Sequence, residues 1–258
     1  MDTAAGATSF LALASWAMGN VEQARVLSDD ALARADETAH APTRANVYHF
    51  ISLCHMLRGD SQSARRTATI VVDLSRELGM ALWLALGEVY SNWARAWLGD
   101  REGGMTGFRE ARAAYLGQGN KLYAPLFQGL LAEFEAEGDD AVSALQRIDE
   151  ALAVARQTGE HATDALLLRI RGEILLKRDP ANTARAEEAF LAAIAIAQAQ
   201  KARSFELRAA LSLAKLYHST DRPAGAHAVL ASALKGFSPT PEFPEIAEAQ
   251  TLLSALTS

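Results

Sequence analysis

The sequence predicts an all-α chain, a solenoid of about six two-helix hairpins followed by a C-terminal capping helix. Three observations lead there. Alanine and leucine dominate an apolar half of the composition, with aromatics at 7% and only 7 prolines in 258 residues, a usage that favours helix because these side chains lose little rotamer freedom there. Turn residues recur: Gly19-Asn20, Gly59-Asp60, Gly99-Asp100 and Gly138-Asp139 lie 40, 40 and 39 residues apart, and Gly79, Gly119 and Gly159 repeat the 40-residue step midway between them. Two turns per period mean two helices per unit. Asp179 and Asp221 continue the first series without its glycines.

Each turn has a physical logic. Glycine ends a helix in the left-handed conformation at no steric cost, and the Asp or Asn after it can accept hydrogen bonds from the free N–H groups of the next helix. The second helix of each unit carries small residues at Ala24, Ala64, Gly104, Ala144, Ala186 and Ala226, and again seven residues later at Ala31, Val71, Ala111, Ala151, Ala193 and Ala233. Residues seven apart share a helical face, so a neighbouring helix can approach both closely. Between them Phe108, Ile148, Phe190 and Leu230 supply bulk for the adjoining grooves.

These signals divide residues 1–258, read as a single repeat domain, into units of about 3–38, 42–78, 80–117, 121–158, 162–200 and 203–236. The helices are expected near 3–18, 21–38, 42–58, 61–78, 80–98, 101–117, 121–137, 140–158, 162–177, 183–200, 203–219 and 223–236. Three prolines in 237–244 break the pattern, and 245–256 resumes as the capping helix.

The arrangement resembles tetratricopeptide repeats, with units about six residues longer than the common ~34-residue form. That resemblance implies a right-handed solenoid. Longer units are similar to those of the sensor domains of maltose-type transcriptional activators. In the C-terminal half, Arg171-Gly172-Glu173-Ile174-Leu175-Leu176, Ala186-Glu187-Glu188-Ala189-Phe190, Phe205 to Ala214 and Glu248 to Leu253 resemble the C-terminal region of bacterial proteins that join a class III adenylate/guanylate cyclase to a signalling ATPase. The match covers roughly 165–256 and implies a sensory or regulatory region of bacterial origin.

Charge and motif content narrow the function. A net charge of −6 and a pI near 5.6, with no basic block, argue against a nucleic-acid partner, because phosphate binding draws on clustered Lys and Arg. Cys54 is the one cysteine and lies among Ile51, Leu53, Met56 and Leu57, which reads as core in a reducing, cytoplasmic setting. The N-terminus lacks the positive charge of a secretory signal, and no stretch approaches the ~20 apolar residues of a membrane span. Gly99 to Thr106 has the spacing of a phosphate-binding loop, but Met105 stands where lysine is needed and no strand precedes it. The six histidines form no i, i+4 ligand pair, so neither metal nor cofactor is expected. His55 and His218 are read as favourable helix-dipole partners, and Trp93 and Trp97 as core. No catalytic constellation emerges, and the chain is expected to bind rather than to catalyse.

The candidate binding residues are polar triplets on the first helices: Tyr48, Ser52 and His55; Glu88, Asn92 and Arg95; Gln128, Ala132 and Glu135, each at i, i+4, i+7 and offset by 40. Arg208, Ser212 and Lys215 make a similar triplet in the sixth unit. In tetratricopeptide-like arrays first helices line the concave surface, so the resemblance implies that these residues floor a groove for an acidic peptide or polar ligand. The expected partner is a protein or peptide, as the sensory end of a signalling protein or as a free-standing adaptor. A small-molecule effector is the alternative, and the first hairpin, which lacks a polar capping helix on its outer side, suits either a missing preceding repeat or a homodimer contact.

Overall fold

The computed structural model describes residues 3–138 and 140–256, and Asp139, one of the predicted turn residues, lies outside them. Thirteen helices and no strand occur among the described residues. They gather into two compact units. The first holds α1 (Thr3–Ala17), α2 (Val21–Glu37), α3 (Ala41–Arg58), α4 (Ser61–Glu77), α5 (Ala81–Trp97) and α6 (Arg101–Gly117). The second holds α7 (Ala124–Glu137), α8 (Ala141–Thr158), α9 (Asp164–Arg178), α10 (Ala184–Gln200), α11 (Arg203–Ser219), α12 (Pro223–Leu234) and α13 (Glu245–Leu256). Within each, consecutive helices pack as hairpins and hairpins stack, which is the all-α repeat the sequence predicts.

Small residues set the spacing. Ala24, Ala64, Gly104, Ala144, Ala186 and Ala226 are all buried, as are Ala31, Val71, Ala111, Ala151, Ala193 and Ala233. A Cβ on Gly104 would overlap the backbone nitrogen of Ala96, so α5 and α6 touch backbone to backbone there. Phe108, Ile148, Phe190 and Leu230 are fully buried in the grooves between. The first helices have close-approach points of their own. A Cβ on Gly87 would crowd Val71 and Val72 of α4, on Gly129 it would strike Leu167 of α9, and on Gly172 it would strike Phe190 of α10.

The turns follow the predicted chemistry with exceptions. Gly59 ends α3 in the left-handed region at φ 78°, its N–H bonded to Met56 O, and Asp60 then accepts the Ser63 N–H at 2.9 Å. Asp100 accepts the Gly103 N–H at 3.1 Å. Gly138, at φ −96°, stays out of the left-handed region, and Asp140 accepts from Ser143 N at 3.1 Å. Asn20 makes no side-chain cap. Where glycine is missing, Lys201 (φ 57°) and Asp221 (φ 56°) adopt the left-handed turn themselves, at a cost of roughly 1–2 kcal/mol each. Helix α7 begins at Ala124 rather than 121, because Tyr123 is left-handed at φ 64° and its N–H is held at 2.8 Å by Glu160.

The capping segment closes on α11 and α12. Phe243, Ile246 and Ala249 are buried, and Phe237 meets Phe243 edge to face at 5.7 Å. Arg203 donates to the carbonyls of Ala233 and Lys235, closing the C-terminus of α12. At the other end of the chain, α1 carries no charged residue, and Phe10, Leu11 and Met18 are exposed. Among the described residues no helix is long and apolar enough to cross a membrane.

Three expectations about single residues need correction or refinement. Trp93 is buried, but Trp97 is 44% exposed and is not core. His55 does not carry a dipole-stabilised charge: burial and the nearby Arg58 push its pKa down to about 4, so it is neutral near pH 7. Cys54 is buried as expected, its thiol pushed up to about 11 by burial. His49 is also fully buried, with its ring against Trp83 and Tyr90 and its Nδ1 at 2.9 Å from the Tyr90 hydroxyl; burial depresses its pKa to about 3.

Two measurements follow from this packing. In urea unfolding Gly104→Ala should cost about 1–3 kcal/mol of stability, whereas Gly117→Ala, where an added Cβ meets nothing within 4 Å, should add about 0.5 kcal/mol. Equal effects at the two sites would contradict the close approach of α5 and α6. For His49, the unfolded imidazole binds a proton near 6.5 and the folded one only near 3. Between these values the unfolded state holds more protons, so stability falls as pH falls. By about pH 4 the wild type should have lost roughly 3 kcal/mol more than His49→Asn, read from denaturation midpoints against pH.

Candidate functional site

The predicted triplets divide between two faces of the first helices. In the first unit, Tyr48 is buried and donates to Asp36 of α2 at 2.8 Å, its pKa raised to about 12 by burial and that carboxylate. Ser52 is fully buried and donates to Thr67 of α4 at 2.8 Å. His55 lies 3.8 Å from Asp60. Glu88 meets Arg76 of α4 at 3.4 Å, Asn92 donates to Glu88 O at 2.9 Å and stands over Gly107 of α6, and Arg95 donates to Asp100 at 2.7 Å. The seam between first and second helices therefore holds most of these side chains.

In the second unit Gln128 and Glu135 lie on the equivalent seam, between α7 and α8. Gln128 donates to Glu150 of α8 at 2.9 Å, and buried Glu135 receives Arg147 of α8 at 2.7 Å, while Ala132 is buried. The Arg208 triplet is different: it faces other first helices. Arg208 reaches Glu245 of α13 at 2.6 Å, Ser212 donates to Glu173 of α9 at 2.5 Å, and Lys215 reaches Glu248 of α13 at 2.7 Å.

Around these lie residues that the sequence reading did not select. Arg169 of α9 donates to Glu133 of α7 at 3.0 Å, and Arg208 is near enough to both to feel their charges. The result is an inner row across α7, α9, α11 and α13 in which two neighbouring arginines, Arg169 and Arg208, are flanked by Glu133 and Glu245. Arg208 is the deepest, its side chain 11% exposed. Its removal from water pushes its pKa down, offset by Glu245. Two arginines side by side in a partly dry site are tolerated because each has its carboxylate.

Beside this row, between α7 and α9, is a groove of about 450 Å³. Ile170 and Ile174 form its apolar floor, and Glu133, Glu137, Arg169, Glu173 and Lys177 its charged rim. Arg169, Glu173 and Lys177 fall at i, i+4, i+8 and so share one face of α9, a spacing visible in the sequence. Chemically the groove offers donors and acceptors of both signs around an apolar strip. Among the described residues no three His, Cys, Asp or Glu side chains gather as a metal site would require.

The helical hairpins and their stacking define a tetratricopeptide-like helical-repeat fold. Nineteen solved chains match it. One is the apo form of RapI, similar at a TM-score of 0.64 over 99% of this chain and 86% of that chain, with 10% of residues identical. Identity at that level carries the fold alone. No family model matches the chain, and no curated protein matches it in sequence.

The inner row is testable by a double-mutant cycle. Glu245→Met or Arg208→Met alone should each cost about 3 kcal/mol by stranding a buried charge, and the pair Arg208→Met/Glu245→Met should recover most of that loss in chemical denaturation. Additive losses would mean that the two side chains do not act as a pair.

Proposed function

We propose that the chain is a non-catalytic binding scaffold that takes a peptide of a partner protein on the first-helix side of α7, α9, α11 and α13. The single observation that supports this most is the groove of about 450 Å³ between α7 and α9, apolar at its floor and charged on both rims. Peptide grooves use that division: the apolar floor supplies affinity and the polar rim sets register. In this reading Arg208, Ser212 and Lys215 extend the ligand face. Gln128 and Glu135 hold α7 against α8, Tyr48, Ser52, His55, Glu88, Asn92 and Arg95 hold the first helices of the first unit in the same way, and residues 1–258 are read as one repeat domain.

The finer assignment is the sensory or regulatory C-terminal region of a bacterial signalling ATPase or cyclase, working in the cytoplasm. It draws on the resemblance over 165–256. Several of the residues that carry that resemblance, such as Gly172, Ala186 and Phe190, are packing residues, so they support the repeat more than the signalling context. A free-standing adaptor would use the same face. A small-molecule effector is the second reading, favoured by the groove's volume, which lies within the ~300–1,000 Å³ of ordinary ligand pockets.

Selection of a displayed random-peptide library on the full chain tests the proposal. Enriched peptides should lose at least about tenfold in affinity, about 1.4 kcal/mol, against Glu137→Ala/Glu173→Ala/Lys177→Ala. They should bind Glu22→Ala/Arg25→Ala, altered on exposed α2, as they bind the wild type. If no peptide enriches, or both variants bind equally, the peptide reading fails. A thermal-shift screen of small molecules then decides the second reading.

A further inference from the structure

A second surface lies in the first unit, away from the first-helix face. Gln62, Arg65, Arg66 and Thr69 of α4, with Leu98 just beyond α5, line a shallow groove of about 630 Å³. The four α4 residues fall at i, i+3, i+4 and i+7, one stripe of the helix. The exposed arginines Arg25, Arg34, Arg76 and Arg95 each meet a carboxylate. Arg65 and Arg66, like exposed Arg156, Arg178 and Arg185, form no ion pair with any described residue, but they alone are two arginines adjacent in the sequence, and both line one groove. Arg66 donates only to the Ser63 hydroxyl, at 2.8 Å. In a protein of net charge −6, two adjacent arginines without carboxylates form a local positive field. Buried His55 lies within reach of this charge: its pKa is lowered first by burial and then by Arg58, is raised by Asp60, and Arg66 lowers it by less than either.

The groove also has an apolar side. Leu98 is 39% exposed. Arginine is over-represented among residues that dominate protein–protein binding energy. Solvated surfaces, by contrast, tend to mix both charge signs and to leave large apolar side chains scattered singly.

We propose that this α4–Leu98 groove docks an acidic segment of a partner protein that carries an apolar anchor, its carboxylates meeting Arg65 and Arg66 and its anchor lying on Leu98. Charge complementarity selects the occupant. A basic segment would leave both arginines facing like charge. A nucleic acid would bring a long run of phosphates to a chain of net negative charge for the sake of two arginines, where phosphate binding needs a broad basic surface. An acidic segment satisfies both guanidiniums with bidentate geometry and uses the apolar side too. The proposal stands independently of the groove between α7 and α9.

The test is fluorescence anisotropy on the full chain with a labelled peptide of repeated Glu-Glu-Leu-Leu, checking each variant for wild-type helical circular dichroism. Saturable binding is expected, weakened at least about tenfold, or about 1.4 kcal/mol, by Arg65→Ala/Arg66→Ala and several-fold by Leu98→Ser. Binding should be unchanged by Arg156→Ala, which removes an exposed arginine of α8 elsewhere. A labelled Lys-Lys-Leu-Leu peptide should not bind. Three results would overturn the proposal: no saturable binding of the acidic peptide, an equal loss with Arg156→Ala, or binding that ignores Leu98→Ser and is matched by labelled duplex DNA. The last would identify an anion surface without a docking role.

Discussion

Helices in this protein touch at points where a side chain is missing, and the rest of the architecture depends on that contact. At Gly104 the backbone of α5 fills the space a Cβ would take, and the alanines at equivalent positions of the other second helices are buried to nearly the same degree. Two helices that approach this closely cannot rotate or slide independently, because the bulky residues on either side, Phe108, Ile148 and Phe190, are then seated in fixed grooves. Dense packing of this kind tolerates few alternative registers. Each hairpin thus becomes a rigid element, and a stack of such elements can hold a row of side chains from several helices in register.

That rigidity explains how buried charge is sustained in the second unit. A lone arginine as deep as Arg208 would be costly. Here α7, α9, α11 and α13 are held so that Glu133 and Glu245 flank the neighbouring Arg169 and Arg208. The same packing that fixes the helices supplies each charge with its counterion. Polar ties along the seam, from Tyr48 to Asp36 and from Glu135 to Arg147, do related work for the angle at which first helices meet second ones.

The fold was legible because its cause is periodic. Small residues at a 40-residue step and glycines at alternate turns state directly where helices touch and where they stop. Exceptions arose where another residue can do glycine's work at a tolerable cost, as Lys201 and Asp221 do. The candidate site was less legible, and for a geometric reason. The triplets beginning at Tyr48, Glu88 and Gln128 share a strict offset of 40, and Arg208 extends it by 80. Yet the Gln128 triplet meets α8, whereas the Arg208 triplet meets α9 and α13, because α13 packs beside α11 and supplies the carboxylates that Arg208 and Lys215 reach.

A first helix in such a stack has two polar margins, one against its own or the preceding second helix and one against neighbouring first helices. Both look amphipathic in sequence. What distinguishes them is the partner each charge finds, and only the fold supplies that. Arg76 and Arg65 are both exposed arginines of α4, separated by three turns of helix, and nothing in their immediate sequence ranks one above the other. In the fold Arg76 meets Glu88, while Arg65 lines an open groove with Leu98. Charges already satisfied within the stack have less to gain from a ligand, since binding must first break the existing pair. Unsatisfied ones at the edge of an apolar strip gain the whole interaction. By that criterion Arg65, Arg66, Glu137 and Lys177 deserve more weight as recognition residues than the better-paired polar side chains of the seam.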